Sequence, residues 1–295
     1  MSERFGILLA GGLGTRLFPI TRTVNKHLLP VYNKPQIYYS LVILMRAGLR
    51  EIAIVSTPTT TPVLQESLGD GSEWGLDISY VVQPEPKGIA QAILLCGDLI
   101  KNRPVTLMLG DNLFLTDEMA PYLEEALARK QGASVFAVPV DDPERFGIVT
   151  LDANGRATDL VEKPKNPASN MAVTGLYFYD SDALELTAGL TPSARGELEI
   201  TDLNRAYMDR QSLYVESLPA DITWLDCGNP DSLVEASQTI KELESKRNSL
   251  IACPEELALE MGFVDRAGYE ALLAAMPKTQ YRAYLESLLA GKSAA

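Results

Sequence analysis

Between Phe5 and Arg50 the chain carries no aspartate and no glutamate, although its 295 residues hold 39 of them and a net charge of −13. The same stretch contains Arg16, Arg22, Lys26, Lys34, Arg46 and Arg50. A basic island in an acidic protein is where an anion would be held, while the acid elsewhere argues against a nucleic-acid groove spread over the surface. Other scarcities narrow the class. The three cysteines, Cys96, Cys227 and Cys253, are far apart and odd in number. Neither a disulfide framework nor a cysteine-rich zinc site is expected, and a reducing cytoplasm is the simplest compartment. A lone histidine, His27, is more often packing than catalytic base, and it is left outside the mechanism. No apolar run reaches the roughly 18–20 residues of a membrane span. The apolar start, Phe5–Ala10, has neither a basic n-region nor a cleavage pattern, so no signal peptide and no membrane contact are expected.

What is present has the balance of a globular protein, with 46% apolar and 22% charged residues. Short β-branched runs at Arg4–Ala10, Glu51–Ser56, Ile78–Gln83, Val105–Leu109 and Ala133–Val140 alternate with helical patterns at Pro35–Ala47, Thr61–Leu68, Gly88–Ile100 and Glu118–Arg129. That alternation predicts an α/β layered fold with a mainly parallel sheet flanked by helices. The region from Gly147 to Leu218 is richer in strands, with one helix near Glu199–Met208. From Pro230 onward the spacing is helical. The expected division is a core over 1–229, its parts meeting near 140, and a helical segment over 230–295 read as an oligomer contact.

In such sheets ligands sit beyond the carboxyl ends of strands, and four strand ends carry candidate chemistry. The first strand runs into Leu9-Ala10-Gly11-Gly12-Leu13-Gly14-Thr15-Arg16, where glycines let backbone N–H groups approach a phosphate. This is neither a Walker A loop nor a dinucleotide fingerprint, because the spacing fits neither. Arg16 and Lys26 lie on the same loop excursion, a planar fork and a point charge suited to a triphosphate. Gly110-Asp111-Asn112 closes another strand, and Asp226 stands in Trp224-Leu225-Asp226-Cys227-Gly228. Each aspartate alone reads more readily as a turn or cap residue; as a pair they are hard oxygen ligands suited to Mg²⁺. Glu162-Lys163-Pro164 ends a further strand and puts an acid and a base at its mouth, for a sugar hydroxyl and a phosphate or for a solvent-exposed ion pair.

Gly11–Leu17 together with Asn25-Lys26-His27-Leu28-Leu29-Pro30 resembles the signature of the sugar-1-phosphate nucleotidyltransferases. Asp142–Gly147, Val161–Pro164, Ala172–Asp180 and Pro192–Asp202 are similar to the branch of that family that transfers thymidylate to glucose 1-phosphate. The resemblance runs from about Phe5 to Leu289. It implies a Rossmann-like core with a sugar-binding insertion and a helical tail, assembled as a homotetramer, a dimer of dimers. It implies dTTP and glucose 1-phosphate as substrates, dTDP-glucose and pyrophosphate as products, and a place in deoxysugar synthesis. Residue by residue, it implies that Leu9, Gly11, Gly12, Gly14, Thr15, Arg16, Gln83 and Gly88 bind the nucleotide. Gly147, Glu162, Lys163, Val173 and Arg195 would bind the sugar phosphate, Asp111 and Asp226 the magnesium ion, and Arg16, Lys26, Asp111 and Lys163 would carry the catalysis.

The pattern is departed from at His27, where the family usually has Gln, and at Lys87, where it has Asp. Leu113-Phe114-Leu115-Thr116-Asp117 also differs from the stretch that contributes to a regulatory nucleotide site in relatives, while Cys253–Leu257, which borders that site, is retained. Weak feedback inhibition is the expectation. The same reaction with UTP or another sugar phosphate is the alternative; a non-catalytic nucleotide-sugar binding protein fits poorly with Arg16, Lys26, Asp111 and Asp226 all present.

Overall fold

In the computed structural model residues 3–12 and 14–291 are described; Leu13 of the glycine loop and the side chains of Thr116 and Asp117 lie outside the described residues. The chain opens with β1 (Phe5–Leu9), passes through a loop of single 3-10 turns and a small hairpin of β2 (Pro30–Val31) and β3 (Lys34–Pro35), and enters α1 (Gln36–Arg46). β4 (Glu51–Ser56), α2 (Thr61–Leu68), β5 (Asp77–Val82), α3 (Gln91–Leu95), α4 (Gly97–Ile100), β6 (Val105–Leu109), β7 (Asn112–Phe114), α5 (Thr116–Ala128) and β8 (Ala133–Pro139) follow. The strand-rich middle holds β9 (Gly147–Leu151), β10 (Ala157–Glu162), β11 (Met171–Tyr179), α6 (Ala183–Ala188), α7 (Ile200–Asp209), β12 (Leu213–Ser217) and β13 (Trp224–Asp226). The tail is α8 (Pro230–Arg247), α9 (Pro254–Glu260), α10 (Arg266–Ala275) and α11 (Gln280–Gly291).

Strands β6, β1, β4 and β5 are neighbours in that order and all parallel; β1, β4 and β6 are apolar runs buried on both faces, as inner parallel strands are, while β5 is the half-exposed edge. The chain visits β1, β4 and β5 in one direction and then returns to place β6 on the other side of β1, which makes a switch point between β1 and β6. β11 extends the sheet antiparallel to β6 and is its seam. Its second half pairs with β6 on one edge, its first half with β9 of the β9–β10 hairpin, and β8 runs along its other edge with β12 outside. The sheet is therefore mixed, parallel in its first half and largely antiparallel in the second. Apolar clusters cover both faces: α1 and the tail helices contribute to one, α3 and α7 to the other.

The tail is bound into the first face. Lys34 Nζ and Glu244 Oε1 form a buried pair at 3.0 Å, and the Glu244 carboxylate also accepts from Asn33 Nδ2 at 2.7 Å and the Ile251 N–H at 2.9 Å. α8 starts where its sequence says it should, with Asn229 and Ser232 in a capping box and Pro230 in the first turn. The helix expected over Gly88–Ile100 begins only at Gln91 and is split at Cys96. Gly88 is the cause: its φ of +104° is outside the helical region, and a Cβ there would lie 2.2 Å from the Leu198 carbonyl oxygen. Not anticipated were the β2–β3 hairpin, β7 and its pairing with β13, and α6. Among the described residues no helix is long and apolar enough to cross a membrane.

Candidate active site

The glycine loop and the Gly110-Asp111 turn leave from adjacent carboxyl ends, because Leu9 of β1 is paired with Leu109 of β6 and the Gly110 N–H donates to the Leu9 carbonyl at 2.9 Å. This is the switch point, where an open α/β sheet offers a crevice. The second aspartate arrives from 115 residues later. β13 pairs antiparallel with β7 so that Asp226 stands opposite Asn112, and the Cys227 N–H donates to the Asp111 carbonyl at 3.1 Å.

The two carboxyls are shifted in opposite directions. Burial alone would push the Asp111 carboxyl up, but the Lys26 ammonium bound to it, helped by Asn112 Nδ2 at 3.2 Å, holds it well below the usual carboxylate range. Burial, and then repulsion from Asp111, pushes the Asp226 carboxyl above its ordinary value of 3.8, against the pull of Arg16, Arg145 and Lys26. The charge on Asp111 raises the cost of ionising Asp226, and a divalent cation between two such carboxylates offsets that cost. Among the described residues no cluster of three or more His, Cys, Asp or Glu forms a metal cage. A donor set of two carboxylates suits an ion that takes its other positions from water and phosphate.

Arg16 reaches this pair from the glycine loop. Its Nη1 is 3.9 Å from Asp226 Oδ2, and its guanidinium lies against Gly228, where a Cβ would stand 2.2 Å from Nη2. The glycine in Asp226-Cys227-Gly228 thus makes room for the arginine. Arg145 comes from the other side, its Nη2 3.3 Å from Asp226 Oδ2 and its Nη1 bound to Asp142.

Two cavities meet at Asp111. One, of about 210 Å³, is walled by Leu9, Gly11, Gly12, Lys26, Gln83 and Gly88. Gln83 is fixed there by donating from Nε2 to Gln91 Oε1 at 2.8 Å. The other, of about 600 Å³, is walled by Arg16, Gly147, Glu162, Lys163, Val173 and Asp226. Gly147 and Glu162 are partners across β9 and β10, Lys163 Nζ is 3.2 Å from Glu162 Oε1, and Thr201 Oγ1 donates to Glu162 Oε2 at 2.7 Å. Gly14 and Thr15 open the first 3-10 turn of the loop and line neither cavity. Arg195 lines neither cavity; its Nη2 is 2.8 Å from Glu199, 3.4 Å from Glu197 and 3.6 Å from Glu162.

Sequence reasoning missed Asn112, Arg145, Thr201 and Trp224, which line the larger cavity. Asn112 Oδ1 accepts from the Gly175 N–H at 3.0 Å and from Trp224 Nε1 at 2.8 Å, tying β7, β11 and β13 together. Adjacency to the two aspartates was the available signal for Asn112 and Trp224. Arg145 and Thr201 gave none beyond standing in motifs quoted for other reasons. Of the segments tied to regulation, Leu115 is buried, and Cys253, Glu256 and Leu257 border a small cavity of about 110 Å³ with Arg46 and Arg247 that shares no lining residue with the two cavities above. The expectation placed on Thr116 and Asp117 lies outside the described side chains.

His27 is buried beneath Lys26 and packs toward Gly110, with Nδ1 2.8 Å from Asn25 Oδ1. Burial, and then the Lys26 charge, lowers its pKa from 6.5 to about 3. The ring stays neutral at neutral pH and is no proton carrier there. Loss of a general acid–base costs about 10²–10⁴-fold, so His27→Gln should stay within a few-fold of the parent kcat; a hundredfold loss would make it catalytic. The native state binds its proton less well than the unfolded chain. Stability is therefore lost as pH falls from 6.5 toward about 3. Melting curves of His27→Gln across that window should show a smaller acid loss than the parent's.

The family described as Nucleotidyl transferase matches residues 5–242 of the chain. The chain is 49% identical to the glucose-1-phosphate thymidylyltransferase of Xanthomonas campestris pv. campestris (strain B100), over 98% of each chain. Among solved structures, it matches a Bacillus anthracis protein described as a putative glucose-1-phosphate thymidylyltransferase, in complex with a sucrose, with a TM-score of 0.75 and 42% identity over 80% of this chain and 94% of that one. A UDP-glucose pyrophosphorylase complexed with UDP-glucose matches with a TM-score of 0.72 and 26% identity over 82% of this chain and 100% of that one.

Proposed function

The chain belongs to the nucleotidyl transferase family, and from that premise we propose that it is a glucose-1-phosphate thymidylyltransferase, moving dTMP from dTTP to α-D-glucose 1-phosphate and releasing pyrophosphate. The observation that carries this reading is the meeting of two cavities at Asp111, beside a pair of carboxylates with Arg16 and Lys26 around them. Two anionic substrates that must react with one another need such a junction.

The base of dTTP takes the smaller cavity, against Leu9, Gly11, Gln83 and Gly88, with Gly12, Gly14 and Thr15 beside its phosphates. The sugar phosphate takes the larger one, with Gly147, Glu162 and Val173 at the sugar and Lys163 and Arg195 at its phosphate. A phosphate monoester is already an anion near neutral pH, so its oxygen attacks the α-phosphorus without a strong general base. The neutral, buried His27 agrees with that. Arg16, Lys26 and Lys163 hold charge in place while the bond changes, which is positioning and pre-organised electrostatics rather than proton transfer. A magnesium ion, with Asp111 and Asp226 as its protein ligands, would supply Lewis-acid stabilisation of the phosphates. The reading extends to a cytoplasmic homotetramer, with residues 1–229 as the catalytic core and 230–295 as the assembly segment.

Pyrophosphate release with magnesium and glucose 1-phosphate, offering dTTP and UTP separately and in competition, tests the reading. Strong preference for dTTP is expected. Turnover with UTP alone would transfer the specificity to the rival nucleotide that the UDP-glucose pyrophosphorylase likeness raises. No turnover with either nucleotide would remove glucose 1-phosphate as the acceptor.

A further inference from the structure

The two substrate cavities are part of a longer series, the sugar-side one also sharing Arg145, Phe146, Trp224 and Asp226 with a cavity of about 490 Å³. The two substrate cavities themselves share Ile89, Leu109 and Asp111. The base-side cavity in turn shares Gly12 and Lys26 with a third, of about 330 Å³, that has no residue in common with the sugar-side one. Arg22, Thr23 and Asn25 of the loop wall this third cavity on one side, and Thr57, Thr59 and Thr60 ahead of α2 wall it on the other. Its lining has two cations, several hydroxyls and no carboxylate, in a chain of net charge −13.

The two cations are not equivalent. Lys26 is bound to Asp111. Arg22 is exposed at the end of the 3-10 turn Ile20–Arg22, and among the described residues its guanidinium has neither an acceptor nor a carboxylate partner. The acid-free stretch from Phe5 to Arg50 is the reason none stands nearby along the chain.

In-line displacement at phosphorus sets the attacking and leaving oxygens on opposite sides. The sugar phosphate oxygen forms its new bond from the side of the larger cavity. The bond from the α-phosphorus to the α,β-bridging oxygen breaks, and its electron pair leaves with pyrophosphate. The leaving group departs away from the sugar side, toward Gly12 and Lys26. Arg16 lines the sugar-side cavity beside Asp226 and Lys26 is bound to Asp111, which leaves Arg22 as the cation of the third cavity that no carboxylate holds among the described residues. We propose that the third cavity receives the leaving pyrophosphate and that Arg22 grips it, a role that rests on the reaction proposed above.

The reverse reaction isolates this site, because pyrophosphate is then a substrate with its own KM. In Arg22→Gln the KM for pyrophosphate should rise about tenfold or more, the scale of one lost charge-assisted contact. The KM for dTDP-glucose should stay unchanged, and added pyrophosphate should inhibit the forward reaction less. Arg22→Lys should recover part of the loss. Thr59→Val, on the opposite wall, should shift the same constant in the same direction by less. Titration calorimetry of the enzyme with inorganic pyrophosphate should show the same weakening without turnover. An unchanged pyrophosphate KM in folded Arg22→Gln, or an equal rise in the KM for dTDP-glucose, overturns the assignment. A parent that runs the reaction while the Arg22 comparison fails leaves the reaction standing and removes this site; a parent that runs neither direction removes both.

Discussion

Asp226→Asn is expected to lower turnover by about a thousandfold while melting no lower than the parent. The first half follows from its proposed place as one of two protein ligands to the metal, since a Lewis acid contributes several kcal/mol at a phosphoryl oxygen. The second half follows from electrostatics. Burial and the Asp111 charge push the Asp226 carboxyl up, so its ionisation opposes folding at neutral pH. An asparagine removes that cost and keeps the shape. Kinetics, thermal melting and Mn²⁺ binding followed by electron paramagnetic resonance separate the outcomes. Full activity, or Mn²⁺ affinity equal to the parent's, would take Asp226 out of the metal site. A matching loss of stability would make its role structural.

Lys26→Met should damage both activity and stability, and its pH dependence should identify the cause. The Lys26 and Asp111 side chains are 16% and 12% exposed. Removing the cation strands a buried carboxylate, at a cost of about 3 kcal/mol. In the parent, Asp111 is held below its ordinary 3.8 and contributes stability that is present above that value and lost as pH falls through the lower, folded one. Without Lys26, burial dominates and the folded carboxyl binds its proton more readily than the unfolded one. The sign reverses: the variant gains stability relative to the parent as pH falls, and the gap in melting temperature should narrow between pH values of about 7.5 and 5. Turnover should fall by about 10²–10³-fold, the scale of one pre-organised charge removed from a transition state. A gap constant with pH would mean that Lys26 does not hold the Asp111 charge.

Much of this site was legible because its residues stand where strands end. Leu9, Gly11 and Asp111 stand at the ends of the parallel strands β1 and β6, a position that one sequence carries as a physical signal; Lys26 follows on the glycine loop, and Glu162 and Lys163 stand at the end of β10, which is antiparallel to β9. The contacts between those ends were not legible. β7 and β13 are three residues each, too short for a periodicity, and they pair across more than a hundred residues. Arg145 reaches Asp226 only because of that pairing. Arg195 gave a different lesson. Its motif was readable but its carboxylate neighbours were not: Glu162, Glu197 and Glu199 surround the charge that a phosphate would share. Two of those acids follow it in sequence within one turn, and the third arrives from another strand. The helix expected from Gly88 failed at its start for a reason likewise remote, the Leu198 backbone pressed against Gly88.

The seam at β11 has an evolutionary consequence. The hairpin β9–β10, which carries Gly147 and Glu162, joins the rest of the sheet through β11 alone. The strands whose ends form the base-side wall are β1 and β6, which the hairpin never touches in the ladder. Acceptor and donor preferences are therefore free to drift apart in descent. The hairpin behaves as a cassette: grafted with Thr201, which hydrogen-bonds to Glu162, it would carry a new sugar preference into the protein while leaving the choice of nucleobase where it was.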